Sequence, residues 1–175
     1  MTKKVSYGDK APDVVNVVIE IQRGSRNKIE TDEATGELFL DRVNGTLLGY
    51  PTDYGDIPDT LCEDGDPLDA LVVIDESLPH GVVAPCRAIG VLYFEDDGEM
   101  DEKLICVPAD DISKDHIKHV DDLGDTFKKN IEHFYKHYKD WKKDWKGVSS
   151  ELKGWGGPDD AKKVIQDSIA NYKKQ

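Results

Sequence analysis

Apolar residues recur with two different periods along this chain, and the change of period near residue 123 constrains the fold more than any other feature. Before that point they come in short runs rich in Val, Ile and Leu: Val14 to Ile21, Glu37 to Arg42, Ala70 to Ile74, Val82 to Phe94 and Lys103 to Val107. Runs of this length and composition, bounded by turn residues, are strands. The punctuation is Gly36, Asn44-Gly45, Gly55-Asp56, Asp64-Gly65-Asp66-Pro67 and Asp97-Gly98, each offering a positive or a fixed φ. After residue 123, Phe127, Ile131, Phe134, Tyr135 and Tyr138 recur at spacings of three and four, which predicts one apolar helix face beginning between Leu123 and Asp125. Gly157-Pro158 followed by Ala161, Val164, Ile165, Ile169 and Tyr172 predicts a second helix, with Pro158 suited to its first turn. Strands followed by helices give an α+β chain, mainly β: a small barrel or twisted antiparallel sheet covered by helices, two of them near the C-terminus.

The length of 175 residues suits a single domain spanning 1–175, with enough chain to bury one core. The longest apolar stretch, Ala88 to Phe94, is far short of the roughly 20 residues a membrane-spanning helix needs. The first residues carry charge but no apolar segment follows them, so no signal peptide is expected and the cytoplasm is the default location. Cys62, Cys86 and Cys106 are odd in number and widely spaced, the pattern of reduced packing thiols rather than disulfides or zinc ligands. A net charge of −13 opposes binding to nucleic acid or to an anionic membrane, since both demand a basic surface. The basic residues of Lys136 to Lys146 and of the C-terminal tail read as solvated helix faces.

The sharpest local signal is Asp64-Gly65-Asp66-Pro67-Leu68-Asp69, three carboxylates within six residues. Gly65 and Pro67 prevent a long helix there, so the loop can turn its acids toward a common point. Taken alone it also fits a solvated acidic turn, because Asp favours turns. Carboxylates crowded together repel one another unless a positive charge sits among them, and Mg²⁺ takes oxygen ligands of this kind while bridging to phosphates. An EF-hand is a poorer alternative, because the loop lacks the required spacing to a bidentate Glu at the twelfth position. A haloacid-dehalogenase-type nucleophile should follow a hydrophobic strand, and these acids precede one. Asp96, Asp97, Glu99 and Asp101 form a second acidic group behind Val91 to Phe94; alone it reads as a hairpin tip, but two such loops on neighbouring strands could hold more than one metal.

An anionic substrate also needs cations and hydroxyls. Lys28 and Glu30 are two apart and share a face if Asn27 to Asp32 is extended. Arg42 ends a strand, where a guanidinium could grip phosphate oxygens in a fork. Tyr50-Pro51-Thr52-Asp53-Tyr54-Gly55 puts two phenols on a rigid turn, and Tyr138-Lys139 adds a phenol and an ammonium on the long helix. Each taken singly also fits an ordinary packed tyrosine or solvated lysine.

In this order the motifs resemble the family I soluble inorganic pyrophosphatases, over about Asp13 to Gly156. The resemblance is carried by Val18-Ile19-Glu20-Ile21, Lys28-Ile29-Glu30, Leu40-Asp41-Arg42, Tyr50 to Gly55, Asp64-Gly65-Asp66-Pro67-Leu68-Asp69-Ala70, Asp96 with Asp101 and Lys103, and His137-Tyr138-Lys139-Asp140. It implies a five-stranded OB-like barrel with flanking helices, several Mg²⁺ ions in a funnel at its mouth, and a homo-oligomer, hexameric in bacterial members. By the same resemblance Asp64, Asp69 and Asp101 would bind the metals that activate water, and Asp96 and Glu30 those that arrive with pyrophosphate. Lys28, Arg42, Lys103, Tyr54, Tyr138 and Lys139 would contact the phosphates, Asp66 would accept the proton of the attacking water, and Glu20 and Tyr50 would support the site. Ile29 stands where the family often has tyrosine, Gln22 where it often has proline, and Gly98 is shifted by one place, so Asp97 competes with Asp96 as ligand. The implied activity is Mg²⁺-dependent hydrolysis of pyrophosphate to two phosphates, with no covalent phosphoenzyme. A non-catalytic OB-like module binding a phosphate or a partner chain would need donors but not this acid set. A hydrolase of nucleotides or phosphomonoesters would need a base-stacking pocket or a larger lid, neither of which is evident in the sequence.

Overall fold

The computed structural model describes residues 5–32, 34–142 and 150–174. Among these, the strands are β1 (Val15–Ile21), β2 (Asn27–Thr31), β3 (Leu38–Val43), β4 (Asp53–Ile57), β5 (Leu68–Val72), β6 (Val83–Asp96), β7 (Glu99–Met100), β8 (Lys103–Pro108) and β9 (Ser150–Gly156). The two long helices are α1 (Asp125–His137) and α2 (Pro158–Tyr172). All five runs expected to be strands are strands, and both expected helices are present at the anticipated starts.

The hydrogen-bonded order β1-β4-β5-β8-β6 returns on itself, because β6 also pairs with β1. Five strands thus form a closed, barrel-like ring, which leaves those strands without a bare edge. All pairings in the ring are antiparallel except β5 with β8. That parallel pair departs from the twisted antiparallel alternative. At 14 residues β6 is long enough to serve several partners: β1 at its start, β8 along its middle, and β9 and β7 toward its end. β2 and β3 form a separate two-stranded ribbon.

Alternation along the ring strands divides the apolar residues into two clusters. Leu68, Ala70 and Val72 of β5, with Leu104 and Cys106 of β8, join Ala161 and Ile165 of α2. Leu71 of β5, with Ile105 and Val107 of β8, joins Ile131, Phe134, Tyr135 and Tyr138 on α1 and just beyond it. The period-2 pattern of the strands and the 3.6 period of the helices meet in these two clusters. The thiols of Cys86 and Cys106 are buried and free, and Cys62 is partly buried and free, as packing residues should be. No described helix is long and apolar enough to cross a membrane. The basic run from Lys136 to Lys146 lies partly outside the described residues, as does the segment before Val5.

Two elements differ from expectation. The pair Gly55-Asp56, anticipated as a turn, lies inside β4. A Cβ at Gly55 would come within 1.9 Å of the Val18 carbonyl oxygen, so this glycine is required by close approach to β1 rather than by a turn. β9 follows a segment with little apolar content and owes its strand conformation to pairing with β6, which no local pattern announces.

Candidate active site

Three neighbouring strands set the central row of the site. In β4, β5 and β8, Asp56 is in register with Asp69, and Asp69 with Lys103. β1 contributes Glu20 through an irregularity: Ile19 pairs with Gly55 and Ile21 with Tyr54, which leaves Glu20 as the extra residue. A bulge of this kind re-aims a side chain. The Glu20 carboxylate accepts the Thr31 amide at 2.7 Å, tying the β2–β3 ribbon to the ring.

The acidic loop before β5 turns at Gly65, whose φ of 88° favours glycine. The Asp66 amide donates to Asp64 Oδ1 at 3.1 Å, and the Asp66 side chain is exposed at the rim. The second acidic group is a two-residue hairpin between β6 and β7, with Asp97 at φ 52° and Gly98 at φ 89°. Two successive positive φ angles match the tight turn that suits the twist of paired strands. The two competing acids differ in setting but both line the cleft: Asp96 lies on the strand with its carboxylate bonded by Lys139, while Asp97 lies on the exposed turn.

All fourteen residues singled out from the sequence line one cleft of about 600 Å³: Glu20, Lys28, Glu30, Arg42, Tyr50, Tyr54, Asp64, Asp66, Asp69, Asp96, Asp101, Lys103, Tyr138 and Lys139. Asp97 and Glu99 of the second acidic group line it too, as do residues that sequence reasoning gave no place in a site, among them Thr31, Asp56 and Tyr135. Asp56 is two positions from Tyr54, so reading β4 as a strand would have placed both on one face. Tyr135 was assigned only to the apolar helix face, and a buried phenol at such a spacing carries no sequence mark of its polar end.

Electrostatics in the cleft are set by many carboxylates and few, well-placed cations. Lys103 is only 3% exposed; its ammonium bonds Asp69 and lies 2.5 Å from Asp101 Oδ1. Burial pulls its pKa down, but the two carboxylates outweigh burial and hold it well above its ordinary value. The same ammonium lies 5.8 Å from the Tyr54 ring centre and 5.9 Å from that of Tyr135. Lys28 bonds Glu30 and approaches Asp41 at 3.7 Å. Arg42 is fixed by Nη1 to Asp41 Oδ2 at 2.9 Å and Nε to the fully buried Asn44 Oδ1 at 3.1 Å.

Several acids remain under strain of charge. Burial pushes Glu20 up to about 7, and nearby Asp56 adds to it. Burial raises Asp64 to about 6; the Asp66 amide opposes this and Asp101 adds to it. Asp101 is raised by burial first, with Lys103 opposing and Asp69 adding. Among the described residues, no three acids, imidazoles or thiols already stand as a closed metal cluster. The donor set nevertheless fits hard divalent cations: it offers only oxygen ligands, most of its acids are partly buried, and Asp96 Oδ1 is buried without a hydrogen-bond partner among the described residues. Glu30, Asp64, Asp69, Asp96 and Asp101 are the residues that could hold them.

The chain is similar to known proteins along most of its length. The family model described as inorganic pyrophosphatase matches residues 17–173. The chain is 46% identical over 159 residues to the inorganic pyrophosphatase of Corynebacterium efficiens, covering 91% of this chain and 98% of that protein. It is 48% identical over 158 residues to that of Rickettsia prowazekii, covering 89% and 90%. The crystal structure of inorganic pyrophosphatase from Thermus thermophilus superposes with a TM-score of 0.92 at 44% identity, covering 98% of each chain.

Proposed function

The chain belongs to the inorganic pyrophosphatase family, and from this premise we propose that it cuts pyrophosphate into two phosphates with the help of Mg²⁺, by direct attack of water and without a covalent intermediate. The observation that carries the reading is the convergence of five metal-type acids and six phosphate-type donors in one cleft, although they come from segments far apart in the chain. Donors alone would serve a binding module; the acids have a role only if cations join them.

Glu30, Asp64, Asp69, Asp96 and Asp101 would hold the cations, and Glu20 and Tyr50 would brace them from behind. Bound there, Mg²⁺ would mask the charge of pyrophosphate and lower the pKa of water toward neutrality. Lys28, Arg42, Tyr54, Lys103, Tyr138 and Lys139 would bind and orient the phosphoryl oxygens. Fixed donors of this kind act most strongly on charge that grows in the transition state. Asp66, exposed at the rim and, among the described residues, held by no ammonium bond that would occupy its oxygens, would accept the proton of the attacking water. Burial keeps the phenols of Tyr54 and Tyr138 well above their ordinary pKa, so they remain donors at working pH.

The same membership supports a cytoplasmic homo-oligomer, hexameric, built from one domain per chain and free of nucleic acid and membrane. The decisive test is release of phosphate from pyrophosphate with and without Mg²⁺, beside ATP and a phosphomonoester. Metal-dependent release from pyrophosphate in preference to the others supports the proposal. No release, with phosphate still bound, would leave a binding module instead.

A further inference from the structure

Tyr135 is a buried polar group that the fourteen-residue set does not use. It sits on α1 one turn before Tyr138, its side chain is 2% exposed, and its Oη has no hydrogen-bond partner among the described residues. Its ring packs edge-on against Phe134 at 5.2 Å and Tyr138 at 5.4 Å, and at a tilt against Phe94 at 5.3 Å. These contacts fix the ring, so the phenol cannot swing away to find an acceptor elsewhere. An unsatisfied buried hydroxyl is costly, and in a native structure its retention calls for a cause.

The surroundings indicate the cause. Tyr135 lines the cleft, and the ammonium of Lys103 lies 5.9 Å from its ring centre. Tyr50, Tyr54 and Tyr138 supply phenols to the same cleft. A phenol can also accept from another phenol, yet Tyr135 Oη, among the described residues, is paired with none of these, and a ligand with several acceptor oxygens is what such a row of donors suits. Lys103 bonds both Asp69 and Asp101, and neither carboxylate accepts from Tyr135 Oη. Burial first, with Lys103 opposing, leaves the Tyr135 phenol well above its ordinary pKa, which keeps the proton on Oη.

We propose that Tyr135 is a further phosphate-binding residue, its Oη donating a hydrogen bond to an oxygen of the phosphoryl group held between Lys103 and Tyr138. The proposal rests on the phosphate chemistry of the cleft and adds to it a donor that neither the sequence motifs nor the family resemblance assigns. It also explains why one helical turn carries two phenols facing one cleft.

Tyr135→Phe is the test, because it keeps the ring and all its packing while deleting only the hydroxyl. Binding of inorganic phosphate is measured by titration calorimetry on the Mg²⁺-loaded protein, and thermal stability on the metal-free protein. The expected result is phosphate affinity about tenfold weaker, the size of a hydrogen bond to a charged acceptor, with a melting temperature equal to or above the parent's. Phosphate affinity within twofold of the parent overturns the proposal. A melting temperature lower by several degrees also overturns it, whether or not affinity falls, since the hydroxyl would then be structural. Pyrophosphate hydrolysis by the parent, run in parallel, separates the two ideas: its absence refutes the reaction, whereas the binding difference alone judges Tyr135.

Discussion

The two apolar clusters of the ring treat polar groups in opposite ways. On the side closed by α2 the buried members are aliphatic or small, with no aromatic ring among them. Polar groups there are satisfied locally: Thr60 Oγ1 donates to the Ile57 carbonyl at 2.5 Å and accepts the Leu68 amide at 2.8 Å, and Ser168 Oγ donates to the Ile165 carbonyl at 2.9 Å. On the side closed by α1 lie the phenols of Tyr50, Tyr54, Tyr135 and Tyr138, stacked with Phe94 and Phe134. There Tyr135 Oη and Asp96 Oδ1 are buried without partners among the described residues, and several carboxylates are desolvated. The first side satisfies its own polar groups; the second leaves some over, as the proposed cations and phosphate would require. The lesson is that stability and function are spent on opposite faces of the same strands, separated by one residue of alternation.

That division can be attacked with substitutions on each side. The largest effect belongs to the cleft: Asp66→Asn should lower turnover by about a hundredfold or more, as for a lost general base, with an unchanged melting temperature because the side chain is exposed. Turnover near the parent's would remove Asp66 from that role. On the α2 side, Ile165→Ala should cost about 2–5 kcal/mol of stability in a denaturant titration, while turnover per folded molecule stays at the parent's value. A fall in turnover of the folded fraction would show that the two sides are coupled. A third prediction concerns pH. Folded Glu20 and Asp64 bind protons more tightly than when unfolded, so their contribution to stability is complete below about 4 and is lost as pH rises through about 6 to 7. Cations compete with those same protons. The rise in melting temperature produced by Mg²⁺ should therefore be larger at pH 8 than at pH 5.5, and equal rises would contradict the link. The smallest effect is expected on the outer face of α2, where Lys162 pairs with Asp13 at 2.6 Å on the open surface. Lys162→Ala should leave melting temperature and turnover where they were.

Much of this was legible in the sequence, for identifiable reasons. The runs that became β1, β5, β6 and β8 are continuous apolar segments because they bury residues on both faces of the ring, and α1 and α2 show a clear helical stripe because each covers one side. The acids of Asp64 to Asp69 were conspicuous because they share a turn. β4 was hidden by Gly55, a residue that usually marks turns but here permits contact with the backbone of β1. β9 was hidden because its pairing with β6 is set by a distant strand. Asp56 was lost together with β4. Tyr135 escaped because spacing assigns a residue to a face but not the destination of its hydroxyl. The closing of the ring, through the pairing of β6 with β1, is a relation between segments over sixty positions apart and leaves no local trace.

The central claim is that this cleft is built around divalent cations, and a Mg²⁺ titration of thermal stability at pH 8 addresses it directly, with the parent beside Asp69→Asn. The account predicts a saturable rise in melting temperature for the parent and a midpoint shifted to Mg²⁺ concentrations at least about tenfold higher for Asp69→Asn. A parent indifferent to Mg²⁺, or two superimposable titrations, would contradict it.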